Sequence, residues 1–320
     1  MINAKRKRQE TKRIGKVFDR KFRNLFPVWN FLEFAIVRLS MALINFFPIA
    51  VSTWIARRIG ELTFFLMPVR RRVAFENMNL AFGGALPDAE KRAVALESFR
   101  HLATAIMEFF RLPKFVKKSA GRVTLKGTEH LDRAFDRGRG AVLVMSHLGP
   151  WEYLVFLSYL KKYPTTVLGR PVRNPYFYRW IVSLRQIMEL KHSDKMLGAR
   201  EILSELRENH LVAITIDQWA GPEGLWSYFF NVPTSTTSLP ARLAKRTGCA
   251  LIPAYCVRIN SGKYEIHVHP EVSLKAEADV WVEKMTNHLN SLLEQQIRAF
   301  PSQWMWTHKR WKNKKPVKIK

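Results

Sequence analysis

Residues Ala141 to Glu152 read AVLVMSHLGPWE. Five apolar residues, enough for a strand buried on both faces, run into a short polar loop, and Gly149–Pro150 then opens a helical turn. The same alternation continues outward. Apolar runs at Val123–Lys126, Thr165–Leu168, Leu211–Ile216, Leu251–Val257 and Tyr264–His269 predict further strands. Helical periodicity marks Glu152–Lys161, Tyr176–Met188, Gly198–Glu208, Leu239–Arg246 and Val280–Phe300. Strand and helix taking turns imply an α/β fold, a mixed central sheet flanked by helices, whose functional groups gather in the loops after strands. Residues 88–111 predict an amphipathic helix with Asp88 as its cap, and Thr236, Thr237 and Ser238 predict a cap for the helix at Leu239.

His147 and Glu152 stand five apart. On one continuous helix that offset would separate the side chains by about 140°. The Gly149–Pro150 bend removes the difficulty, leaving His147 in the loop and Glu152 in the first helical turn, so both can face one cleft. A carboxylate that accepts a hydrogen bond from one imidazole nitrogen fixes the tautomer and makes the other nitrogen a general base. Glu152 is the expected carboxylate. Such a pair suits a hydroxyl attacking an activated thioester, because a thiolate leaves with little acid assistance. Ser146 lacks the GxSxG surroundings of a hydrolase nucleophile, and HLGPWE has no zinc-binding spacing. No metal and no cofactor is called for.

The chain of 320 residues carries a formal charge of +27. Residues 1–25 contribute +8 of it and residues 309–320 contribute +7. Clustered basic residues select polyanions, and each contributes about 1 kcal/mol at an anionic bilayer surface. Nucleic acid would attract them too, but it is the disfavoured partner. Cys249 and Cys256 lie in an apolar run with no CxxC pattern, which points to core packing. Leu39–Ala56 holds eighteen residues without a charge and is flanked by Arg38 and by Arg57–Arg58. With Pro48 inside it, the stretch reads as a single span or as a helix-break-helix monotopic anchor. The resulting organisation is a basic leader (1–28), a membrane anchor and helical region (29–115), an α/β catalytic domain (116–308) and a basic tail (309–320).

Four blocks carry a resemblance: SHLGPWE, VLGRPVRNPYFYRWI (Val167–Ile181), the stretch from Ile214 to Tyr255, and PSQWMWTHKRWK (Pro301–Lys312). With them the chain resembles the lipid A biosynthesis acyltransferases, the lauroyl/myristoyl transferase family, whose signature is His-x4-Asp/Glu. The resemblance implies a glycerolipid-acyltransferase-like fold with a membrane-binding helical N-terminus. It implies an enzyme at the cytoplasmic face of a bacterial inner membrane, moving an acyl chain from acyl carrier protein or coenzyme A to a hydroxyl of an anionic glycolipid. His147 would be the base, Glu152 its partner and Arg170 the cation at the oxyanion, and Asp217 matches the family's second acidic position. A permanently charged, planar guanidinium independently suits that role for Arg170. Arg173 and Asn174 are substrate-binding candidates, with Asn174–Pro175 also able to start a helix. Asp217 follows an apolar strand, as a site group or a turn former would. Trp151, Phe229 and Phe230 are candidates for an acyl groove or for the core. The competing readings are a membrane-tethered basic protein that binds anionic lipid or nucleic acid without catalysis, and an esterase with the same basic dyad.

Overall fold

The computed structural model describes residues 27–169, 171–194 and 199–312. Seven strands form the central sheet: β1 (Val123–Lys126), β2 (Ala141–Met145), β3 (Thr165–Gly169), β4 (Lys191–Asp194), β5 (Leu211–Thr215), β8 (Ala250–Asn260) and β9 (Lys263–Val268). Their spatial order is β1-β9-β8-β2-β5-β3-β4. All neighbours are parallel except the antiparallel pair β8 and β9, so the sheet is mixed, as the sequence predicts. A separate hairpin joins β6 (Leu225–Phe229) to β7 (Val232–Thr236).

Side-chain alternation along the central strands divides the core in two. On β2 and β5, Val142, Val144, Val212 and Ile214 face one cluster, while Ala141, Leu143, Met145, Leu211 and Ala213 face the other. Both faces are covered, which is why β2 reads as an unbroken apolar run. On the first face lie α9 (Ala199–Arg207), α10 (Leu239–Thr247) and α11 (Trp281–Ala299), with parts of α2 (Ile49–Leu66), α3 (Pro68–Phe82) and α4 (Asp88–Phe110). On the second lie α5 (Leu112–Val116), α6 (Glu129–Asp136) and α7 (Val155–Lys161). A further helix, α8 (Pro175–Gln186), joins β3 to β4.

The first helix, α1, spans Pro27–Phe46. Val28–Phe46 is long and apolar enough to cross a bilayer, and only 6% of it is buried. The uncharged stretch Leu39–Ala56 is therefore not one span: Pro48 divides it between α1 and α2, and the apolar helix runs through Glu33 and Arg38 instead. Arg111 fastens the break. Its guanidinium donates to the Phe47 carbonyl at 2.7 Å and to Ser52 Oγ at 2.6 Å. Gly60 lets α2 lie directly on α4, since a Cβ there would stand 2.5 Å from the Arg100 Cα.

Several local expectations change. Pro87, not Asp88, occupies the cap position of α4, and Asp88 sits in the first turn paired with Lys91. Of the expected cap on α10, Ser238 makes no capping bond with its side chain and Thr236 is a buried residue of β7, but Thr237 Oγ1 accepts from the Leu239 amide at 3.4 Å. Asn174 does cap α8, its Oδ1 accepting from the Tyr176 amide at 3.0 Å.

Candidate active site

Because β2 and β5 are adjacent and parallel, with Met145 opposite Thr215, the loops that follow them leave the same edge of the sheet side by side. The first loop carries His147 and the second Asp217. His147 Nδ1 lies 2.8 Å from Asp217 Oδ1, and the His147 main-chain N–H donates to Asp217 Oδ2, also at 2.8 Å. The Trp304 indole donates to that same Oδ2 at 2.8 Å. With its Nδ1 proton given to Asp217, the imidazole presents the Nε2 lone pair, and Gln218 Nε2 lies 3.4 Å from it. Burial acts to lower the His147 pKa, but the charge and hydrogen bonds of Asp217, with a smaller contribution from Glu152, leave it raised. Burial acts the opposite way on Asp217, yet the facing imidazole and three hydrogen bonds hold its carboxyl at about 2.

Glu152 does not meet the ring. Its carboxylate is gripped by Arg185 of α8, with Nε to Oε2 at 3.2 Å and Nη2 to Oε1 at 2.7 Å. The expected partnership of His147 and Glu152 is thus corrected: Asp217 holds the ring nitrogen, and Glu152 acts on His147 only through its charge. The reason is local. Residues Trp151–Leu154 form a 3-10 turn rather than the start of the α-helix, while Gly149 has a left-handed φ of +64°. A Cβ on Gly149 would fall 1.8 Å from the Cys256 carbonyl oxygen, so the loop is pressed against β8.

His147, Trp151, Glu152 and Arg185 line a cavity of about 480 Å³, within the usual range for small-molecule sites of roughly 300–1,000 Å³. Much of its wall is apolar, with Leu143 and Met145 of β2, Ala213 of β5, Val167 of β3 and Phe109 of α4. Trp151 meets the imidazole edge-on, with ring centroids 5.0 Å apart. Trp151, a candidate for an acyl groove or for the core, is placed in the cavity lining. Phe229 and Phe230 are elsewhere, buried among Trp304, Trp306 and Trp311, so they are core rather than groove. Asn174 Nδ2 reaches α1, donating to the Asn30 carbonyl at 2.8 Å and to Glu33 Oε2 at 3.1 Å. Arg173 and Asn174 line a separate groove against α1, which shares Val172 and Ile181 with the main cavity. Arg170 lies outside the described residues.

Three site groups escape sequence reasoning: Arg185, Gln218 and Trp304. Arg185 is 33 residues from Glu152 and reads as one of many basic residues on a helix. Gln218 and Trp304 stand inside the blocks that carry the resemblance but have no chemical signature of their own.

The sequence profile of the bacterial lipid A biosynthesis acyltransferases matches residues 17–313. The chain is 28% identical over 211 residues to a phosphatidylinositol mannoside acyltransferase of Mycobacterium tuberculosis, an alignment covering 64% of this chain and 66% of that relative's length. It is 24% identical over 274 residues to the lipid A biosynthesis palmitoleoyltransferase of Escherichia coli, covering 83% of this chain and 87% of the relative. The lipid A biosynthesis lauroyltransferase of Escherichia coli is also 24% identical, over 261 residues, covering 80% and 83%. A profile match that takes in the strand, the His147 loop, the Asp217 loop and the Trp304 segment together places this chain in the bacterial lipid A biosynthesis acyltransferase family.

Proposed function

We propose that the chain transfers an acyl group from a thioester to a hydroxyl of a glycolipid, with His147 as general base. The observation that carries this reading is His147, held by Asp217 behind it, lining a cavity whose wall is mostly apolar. The acceptor hydroxyl gives its proton to His147 Nε2 as its oxygen attacks the thioester carbonyl. Asp217 stabilises the imidazolium that forms. When the tetrahedral intermediate collapses, the C–S bond breaks and the departing sulfur takes the proton from Nε2. No protein nucleophile is required.

The Glu152–Arg185 pair supplies charge at the wall of the same cavity, and the guanidinium is held rigidly enough to steady a developing oxyanion or a phosphate of the acceptor. Arg170 remains the other candidate for that role on the family resemblance. The apolar wall takes the acyl chain. The donor is acyl carrier protein or coenzyme A. The acceptor is a lipid A precursor or a related anionic glycolipid, a class that the activities of the named relatives support. The exposed helix α1 and the basic termini suit attachment at the cytoplasmic face of a bacterial inner membrane, and the sheet suits the glycerolipid-acyltransferase-like class.

The test is acyl transfer from a labelled acyl thioester to detergent-dispersed glycolipid by the wild type and by His147→Ala. Loss of transfer in the variant with membrane binding retained supports the enzyme. Equal transfer by both proteins would overturn it, and release of free fatty acid without acceptor would mark an esterase.

A further inference from the structure

Behind the histidine and aspartate runs a stretch of chain that the proposed reaction leaves unused. Residues 303–310 cross the edge where β2 and β5 end and hold both of the loops that leave it. The Gln303 carbonyl accepts from Gly149 N–H at 2.8 Å, and Met305 N–H donates to the His147 carbonyl at 3.2 Å. The Gln303 side-chain amide pairs with the main-chain N–H and C=O of Arg258 on β8, each at 3.0 Å, which fixes the segment to the sheet. Arg310, fully buried, donates to the Gln218 carbonyl at 2.8 Å and to Thr236 Oγ1 at 2.6 Å. His308 Nε2 accepts from Trp219 N–H at 3.1 Å.

Within this strap, one contact goes to a reacting pair directly. Trp304 is buried, its ring wedged edge-on against Trp306 at 4.6 Å and near Phe229 at 5.8 Å, and its indole N–H meets Asp217 Oδ2. That oxygen therefore has two donors from two different segments, Trp304 and the His147 main chain. A carboxylate anchored in this way cannot turn about its Cβ–Cγ bond, so Oδ1 stays aimed at His147 Nδ1. We propose that Trp304 is a positioning residue whose indole N–H fixes the Asp217 carboxylate and sets the pH at which His147 is free to accept a proton. The inference rests on the reading of His147 as the base. The charged and titratable groups around the pair are Glu152 and Arg185 beside His147, and His308 and Arg310 beside Asp217. The indole is neutral, so replacing it leaves all of these in place.

Two substitutions remove the N–H: Trp304→Phe, and exchange of Trp304 for benzothienylalanine, which keeps the shape of the ring and so protects the fold. An Oδ2 with one donor fewer holds the imidazolium more strongly. The expected result is a rise of about one pH unit in the His147 titration midpoint, roughly tenfold in proton affinity. It is read by NMR on the histidine-labelled, detergent-solubilised full chain, with His147→Gln assigning the resonance. The acid limb of kcat/KM for acyl transfer should move by the same amount. Trp306→Phe is the control, because the Trp306 indole donates to the Pro301 carbonyl at 2.7 Å and its removal should lower thermal stability with the midpoint unmoved. A His147 midpoint unchanged in both Trp304 variants overturns the proposal, as does an equal shift in the Trp306 control. Were the wild type to transfer no acyl group, the functional reading would fall while the titration still decided the role of Trp304.

Discussion

Replacing Asp217 by asparagine puts the proposed chemistry under direct strain, because the geometry dictates which way the amide must turn. Asp217 Oδ2 accepts from both the His147 main chain and the Trp304 indole, and Oδ1 faces only His147 Nδ1. The carbonyl of an asparagine would take the Oδ2 position, since an amide NH2 there would oppose two donors. Its NH2 would then point at His147 Nδ1, which must become an acceptor. The proton moves to Nε2, and the nitrogen facing the cavity loses its lone pair. The whole general-base contribution is lost, about 10²–10⁴-fold in kcat/KM, or roughly 2.7–5.4 kcal/mol of barrier. Folding should weaken as well, by roughly 1–3 kcal/mol, because the bonds survive in number but pass from a charged carboxylate to a neutral amide. The assay is kcat/KM for acyl transfer across pH with thermal unfolding on the same preparations. Activity of the folded variant within about threefold of the wild type, a barrier change below 1 kcal/mol, would refute the assignment of Asp217.

Four further outcomes are expected. Gly149→Ala should unfold at markedly lower temperature, since the left-handed φ alone costs about 1–3 kcal/mol in a non-glycine residue and the added methyl would overlap the Cys256 carbonyl. His147 must be neutral to act, and its pKa is raised above 6.5, so kcat/KM should fall with decreasing pH along a limb centred above that value. The same raised pKa makes a stabilising contribution that is complete below the unfolded-state value and lost as pH climbs through the folded one, so His147→Gln should flatten the thermal-stability profile in that window. Leu39→Asp with Leu43→Asp should leave unfolding unchanged, as both side chains are largely exposed on α1. Co-sedimentation with anionic vesicles should drop by at least a hundredfold in partition, given roughly 1.5–3 kcal/mol for each leucine withdrawn from the bilayer.

The parts of the fold legible in the sequence are those whose signal is local. β2 declares itself by five apolar residues in a row, and α8 by Asn174–Pro175 and the periodicity that follows. β4 reads KHSD and has no apolar face to betray it. The β6–β7 hairpin turns through Phe230 and Asn231, both with positive φ, where a glycine would have marked the turn. The site divides along the same line. His147 was found because strand, histidine and Gly-Pro bend are contiguous, but its hydrogen-bonded carboxylate lies 70 residues away and is chosen by the register of two neighbouring strands. Glu152 was the nearer acid in the chain and the farther one in bonding, because Arg185, from a helix beyond β3, claims it first. A search for polar residues ending adjacent parallel strands would have raised Asp217 above it. Of the two expectations for the uncharged stretch, the break at Pro48 holds and the single span does not: the proline separates two helices, and Glu33 and Arg38, partnered by Asn174 at the start of α8 and by Trp180 within it, sit inside the apolar one.

Helix α1, though barely buried, is clipped down near both ends. Asn174 holds Asn30 and Glu33, while Lys114 donates to the Asn45 carbonyl at 2.7 Å and Arg111 grips Phe47 just beyond. Between the clips, Arg38 lies over the Trp180 ring at 4.6 Å. A rod fixed at two points cannot swivel without carrying the body it is bolted to. Embedding α1 in a bilayer would therefore set the elevation of His147 above the hydrocarbon as well as the attachment itself, and a change in lipid thickness that tilts the rod would raise or lower the reacting ring like the far arm of a lever.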